Sequence, residues 1–197
     1  MSHHLGGIVV DTQLDLTNII LETDRLILRL FKETDLQDFY DYAKVEGVGE
    51  MAGWPHHKSI EETKEVLEAN INDKNVFAII LKSNQKLIGS IGYYPSWTNE
   101  EENYDGLIIK EIGYTLSKDY WGLGIMPEAL NKVINYSFNK LMLDALTVGH
   151  FTFNNRSRRV IEKCGFTYVK GGIYPAELLN KMYTDKLYIL FNPNKLT

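Results

Sequence analysis

Cysteine occurs once in the 197 residues, at Cys164, so no internal disulfide can form and a reducing, cytoplasmic setting is the natural expectation. No apolar run approaches the roughly 18 residues of a membrane span. The leader MSHHLGGIVVDTQLDL lacks a basic flank ahead of a long apolar core, so no membrane partner is expected. With five prolines and no Pro/Gly/Ser linker, repeat or low-complexity tract, nothing divides the chain. Positive charge is not in excess: the net charge is −5, which argues against nucleic acid as a partner. Tyr40 and Tyr42 lie on a helix without basic interleaving, which argues the same way. His3–His4 and His56–His57 have no partner ligands at metal spacing, so no metal is expected.

What is present fits one globular domain: 44% hydrophobic and 24% charged residues. We expect a variable leader over residues 1–19 and a single domain over 20–197. The charge is uneven. Lys110 to Lys170 carries nine Lys+Arg against five Asp+Glu, a local +4, and the remainder carries −9. That segment would welcome an anion, or it is a solvated basic face; composition leaves both readings open.

Hydrophobic periodicity gives the order β-α-α-β-β-β-α-β-α-β-β, a mixed α/β arrangement. LETDRLILRLF alternates as one strand. Thr34 and Gln37 stand at capping-box spacing before a helix whose Leu36, Phe39, Tyr40 and Ala43 share a face. Ser59 and Glu62 repeat the signal before a second helix. VFAIILK and KLIGSIGYYP flank SNQ as a hairpin. Residues 107–116 form a strand with Lys110, Ile112, Tyr114 and Leu116 on one face and Glu111, Gly113 and Thr115 on the other. Leu130, Val133, Ile134, Phe138 and Leu141 mark a third helix. ALTVGHFTF is a strand, NRSRRVIEKCGF a short helix capped by Gly165, and TYVKGGIY and KLYILF two final strands.

EIGYTLSKDYWGLGIMPEAL places Gly122 and Gly124 between a strand and a helix. A helix N-terminus offers unpaired N–H groups and a positive dipole end, and glycines let a phosphate approach them. The amides of roughly Leu123 to Met126 would form this seat, with Pro127 suited to the first helical turn. GxxxxGK[ST] is absent, and a dinucleotide GxGxxG would need glycine at Pro127. A plain tight turn remains the competing reading.

The chain resembles the GNAT superfamily of acetyl-CoA-dependent N-acetyltransferases, in its RimJ/RimL-like branch (ribosomal-protein-alanine N-acetyltransferase type). LETDRLILRLFKETDLQDFYDYA is similar to that branch's first strand and helix, and EIGYTLSKDYWGLGIMPEAL to its pyrophosphate-binding segment. NNRSRRVIEKCGF is similar to the following motif, and YTDKLYILF to the last strand. The likeness covers about residues 20–191. Two positions depart: Trp121 and Met126 end a turn that usually reads Gln/Arg-x-x-Gly-x-Gly/Ala, so that Met126 would narrow the approach. Ile161 stands where many members carry the tyrosine that protonates the thiolate.

The resemblance implies an α+β GNAT acyl-CoA N-acyltransferase fold, a mostly antiparallel sheet of six to seven strands flanked by about four helices. It implies acetyl transfer from acetyl-CoA to a primary amine by direct attack, with a protein N-terminus or a small-molecule amine as acceptor. A non-catalytic acyl-CoA-binding module is the third reading. Many relatives dimerise, so the resemblance implies a monomer or a homodimer. Glu111 is the expected general base; a solvated strand carboxylate paired with lysine competes. Ser157 would meet the sulfur or cap its helix. Asn154 would bond the pantetheine or cap, with Asn155 competing. Ile112, Gly113 and Tyr114 would present backbone to pantetheine, Gly113 by permitting close approach. Trp121, Gly122, Leu123, Gly124, Ile125 and Met126 would seat the pyrophosphate, and Arg158 and Arg159 the 3′-phosphate. Cys164 is read as packing. Trp54, in GEMAGWPHH, walls the acceptor pocket or anchors its loop.

Overall fold

The computed structural model describes residues 14–195, so His3–His4 and the start of the leader lie outside the described residues. Leu16, near the end of the leader, is fully buried in the core, and its N–H donates to Lys74 O at 2.9 Å.

The first expected strand is two. β1 (Leu21–Glu22) and β2 (Leu26–Leu30) pair antiparallel around a turn in which Thr23 N–H donates to Leu26 O at 3.0 Å. Thr23 Oγ1 accepts from Leu26 N–H at 2.9 Å. Buried positions switch from odd (Leu21) to even (Leu26, Leu28) across it, which one uninterrupted strand cannot do. The sheet therefore has eight strands rather than six to seven.

α1 (Leu36–Ala43) follows a single 3-10 turn, and the Thr34/Gln37 box does not form. Asp35 holds the turn instead, accepting from Lys32 N–H at 2.8 Å and from both Arg29 Nη atoms at 2.7 and 2.8 Å. Gln37 reaches Asp41. Tyr42, not Tyr40, is buried beside Phe39 and Ala43, while Lys44 lies over the Tyr40 ring. At α2 (Ile60–Asp73), Ser59 Oγ caps Glu62 N–H at 3.2 Å, but the Glu62 carboxylate accepts from Lys58 N–H rather than closing the box on Ser59.

β3 (Val76–Leu81), β4 (Leu87–Pro95) and β5 (Ile109–Leu116) are antiparallel neighbours. Leu81 N–H to Lys86 O at 2.9 Å closes the expected SNQ turn. α3 (Ile125–Asn139), β6 (Ala145–Phe151), α4 (Asn155–Lys163), β7 (Thr167–Ala176) and β8 (Lys181–Phe191) complete the chain. Gly165, at φ +85°, ends α4 as expected. The sheet order is β1-β2-β3-β4-β5-β6-β8-β7, and among the described residues only β5–β6 is parallel.

Helices cover both faces, which explains the unbroken apolar run of β3. Val76, Ala78 and Ile80 pack with Phe39, Tyr42 and Leu67 of α1 and α2. Phe77 and Ile79 pack in the other core with Leu130 and Val133 of α3 and Ile161 of α4. β5 and β6 pair only from Ile109↔Ala145 to Glu111↔Thr147. Beyond Glu111 they part, although β5 continues to Leu116 and β6 to Phe151.

Candidate active site

A cavity of about 1190 Å³ opens where β5 and β6 separate. At one end lies the glycine turn. Gly122 (φ +77°) and Gly124 (φ +74°) are left-handed, and Gly124 is the N-cap of α3. A Cβ on Gly122 would meet nothing within 4 Å, so its backbone conformation, not crowding, calls for glycine. Among the described residues, the N–H groups of Gly122, Leu123, Gly124, Ile125 and Met126 have no acceptor; the first capping bond is Glu128 N–H to Gly124 O.

The turn is held from outside. Trp121 Nε1 donates to Leu116 O at 2.8 Å. Arg25 Nη1 donates to Leu123 O at 3.0 Å, and its guanidinium pairs with Glu128 at 2.6 Å. Burial works to raise the Glu128 pKa, but hydrogen bonds from Thr23 and Arg25 outweigh it and hold the carboxyl below its usual range. A carboxylate in the first turn also complements the helix dipole. Leu123 is exposed and does not line the cavity, so its contribution is backbone alone. Met126 is 4% exposed and belongs to the core cluster, and it also lines the cavity.

Cationic groups gather at this end. Arg156 stacks over Trp121 at 4.7 Å, and Arg156, Arg159 and Lys163 line the cavity. Arg158 does not: it sits on another face of α4, its Nε 3.9 Å from Glu162. Asn154 is the N-cap of α4, accepting from Ser157 N–H at 3.1 Å, while its Nδ2 donates to Met51 O at 3.3 Å. The competing caps are therefore excluded: Asn155 is the first helical residue, and Ser157 is the group being capped. Ser157 Oγ instead lies 2.8 Å from the Tyr114 hydroxyl. Ile161 is fully buried and has no proton to give. Cys164 is buried with its thiol pushed up to about 11 by that burial, consistent with packing.

Past Glu111, the β5 edge carrying Ile112, Gly113 and Tyr114 has no strand partner on the β6 side. A Cβ on Gly113 would lie 2.8 Å from Tyr94 Cε2, so the glycine also makes room for that ring.

Toward the other end lies Glu111. Its carboxyl is pushed up to about 7, chiefly by burial and secondly by the charge of Asp185. The Trp97 backbone N–H and the Thr147 hydroxyl, 3.5 Å from Oε2, oppose this only in part. Among the described residues Glu111 has no ion pair, so the solvated lysine-paired reading does not hold. Trp54 both lines the cavity and packs on Gly49, whose Cβ would lie 2.2 Å from the indole. His56 bonds Glu50 and His57 bonds Thr63, each at 2.8 Å.

Tyr174, Tyr94, Phe151 and Arg156 also line the cavity without being candidates from sequence, as does Asp185, which enters the sequence reading only through the last-strand resemblance of YTDKLYILF. Asp185 carried a signal: it interrupts the alternation Tyr183, Asp185, Leu187, Ile189 with an acid.

A model of the Acetyltransferase (GNAT) domain matches residues 25–167. The chain is 30% identical over 152 residues to the uncharacterized N-acetyltransferase YoaA of Bacillus subtilis, covering 75% of this chain and 82% of that one. A crystal structure of a GNAT-family acetyltransferase from Bacillus anthracis superposes with TM-score 0.75 at 21% identity, covering 88% and 99% of the two chains. The ribosomal-protein-S5-alanine acetyltransferase of Vibrio fischeri superposes with TM-score 0.69 at 21% identity, covering 90% and 98%.

Proposed function

Since this chain belongs to the GNAT acetyltransferase family and is an acetyl-CoA-dependent N-acetyltransferase, we propose that it acetylates a primary amine by direct attack, with a protein N-terminal α-amino group as acceptor. The observation that carries this reading is the joining of two features by one cavity. The partnerless amides of Gly122–Met126 lie at one end, and the buried Glu111 carboxyl lies at the other. The amides and the cationic Arg156, Arg159 and Lys163 fit a diphosphate and a further phosphate. The unpaired edge at Ile112–Tyr114 fits the amide-bearing arm between phosphate and thioester. When bound, acetyl-CoA supplies an activated acyl carbon and a thiolate leaving group.

The protein's own part is positioning and proton handling. Glu111, titrating near neutrality, accepts the proton that the incoming ammonium must lose. Ser157, whose N–H is capped by Asn154 and whose hydroxyl bonds that of Tyr114, would offer that hydroxyl to the departing thiolate. The likeness to a ribosomal-protein-alanine acetyltransferase supports a protein N-terminus. A second reading, a small-molecule amine, is favoured by the meeting of the cavity walls: Tyr174 of β7 packs on Gly53 of the loop carrying Trp54, and a Cβ there would lie 2.8 Å from the ring.

A thiol-release assay over N-terminal peptides and small amines tests both. We expect turnover of at least one class in the presence of acetyl-CoA. Tight acetyl-CoA binding with no turnover of any amine would replace the transferase reading with an acyl-CoA-binding module.

A further inference from the structure

Glu111 does not face the acceptor alone. The register runs Glu111↔Thr147 and Thr147↔Ile189, and Leu187 and Asp185 follow Ile189 at alternate positions of β8. Glu111 and Asp185 therefore project from the same face of the sheet, on either side of the gap between β5 and β6. Between them on that face lies Gly149, paired with Leu187, so no side chain rises from β6 at this point. Asp185 is itself accommodated by a second glycine: a Cβ on Gly172 would lie 2.5 Å from Asp185 Oδ1.

Among the described residues, neither acid forms an ion pair. Asp185 Oδ1 is buried without a hydrogen-bond partner. The backbone N–H groups of Gly172 and Asp185 and the charges of His150 and Lys170 exert a favourable pull that burial exceeds. Both of those side chains are engaged elsewhere. His150 Nδ1 lies 2.8 Å from Phe151 O and its Nε2 3.2 Å from the Tyr188 hydroxyl. Lys170 pairs with Glu101 and lies over the Trp97 ring at 4.6 Å. Lys186 is turned toward Tyr168. Tyr174 feels both carboxylates and packs against Phe151, the cross-strand partner of Asp185, with ring centroids 5.3 Å apart, so an aromatic wall adjoins the acids.

We propose that Asp185 selects the acceptor by binding a second cationic nitrogen on the molecule whose amine is acetylated. The inference rests on the reading that this amine loses its proton to Glu111. The reacting nitrogen becomes neutral there, so the remaining unmatched acid calls for a charge that survives the reaction. The Tyr174–Phe151 wall suits an alkyl segment joining the two nitrogens and adds attraction for a cation on an aromatic face. A small diamine and a protein N-terminus with a basic side chain next to it share this chemistry.

The test compares kcat/KM within two matched pairs: 1,4-diaminobutane against n-butylamine, and tetrapeptides with lysine against norleucine at the second position. Wild-type protein should favour the dication at least about tenfold in one pair, which identifies the source. Asp185→Asn should bring that ratio near one while leaving the acetyl-CoA KM unchanged, which also reports an intact fold; Asp185→Ser provides a second such variant. A wild-type ratio near one in both pairs overturns this inference alone, as does a ratio that survives both substitutions. Absence of turnover with every amine overturns the transfer reading and takes this inference with it.

Discussion

The Tyr114 hydroxyl on β5 lies 2.8 Å from Ser157 Oγ on α4, bridging the strand that carries Glu111 and the helix that lines the donor end. Burial raises the Tyr114 pKa further than the Ser157 contact lowers it, so the phenol stays protonated and acts by orienting the serine. Ser157→Ala should lower kcat by about 10²-fold, and Tyr114→Phe by less, about tenfold. Steady-state kinetics at saturating acetyl-CoA checks this. The double variant should be no worse than Ser157→Ala, and a larger loss from Tyr114→Phe would reverse the two roles.

On the proposed role of Glu111 as base, Glu111→Gln should lower kcat by about 10²-fold or more and leave acetyl-CoA affinity unchanged. Calorimetric titration alongside turnover separates the two effects. An undiminished rate would reject Glu111 as the base.

The same residue predicts a pH dependence. With its pKa raised to about 7 in the fold, kcat should rise with pH to a plateau above that value, and Glu111→Gln should abolish the bend. Stability moves the other way. Between about 4.5 and 7 the folded state keeps a proton that the unfolded state has lost, so stability falls as pH rises through this window. Glu111→Gln should therefore stabilise the protein by about 3 kcal/mol at pH 8 and scarcely at pH 4. Denaturant melts at the two pH values measure it.

Gly122→Ala and Gly124→Ala each force an L-residue to φ above +70°, which should cost about 1 kcal/mol of stability. Both should raise the acetyl-CoA Kd, since relaxing the strain re-aims the amides that follow. Cofactor titration of the folded variants is the measurement; unchanged affinity in both would remove the turn from the donor seat.

Much of this arrangement is legible in the sequence because it is local. The apolar run of β3, the strand carrying Glu111, the two glycines before α3 and Gly165 after α4 are each fixed by neighbours within a few residues. The phase of α4 was readable in principle: Arg156, Arg159 and Lys163 recur at helical spacing on the cavity side, which leaves Arg158 elsewhere. What was not legible is long-range. Asp185 meets Glu111 only because β8 is inserted between β6 and β7, and no spacing along the chain reveals that placement. The turn at Thr23 was hidden for another reason: apolar residues on both sides preserve an apparent alternation although the buried parity changes.

The two ends of the cavity are written in different alphabets. The glycine turn offers main-chain groups that any sequence compatible with the bend would supply, whereas the face between β5 and β8 depends on the identity of a few side chains. On the proposed reading, exchanging residues on β7, β8 and the Trp54 loop should redirect the protein to a new amine with its hold on the acyl donor left intact.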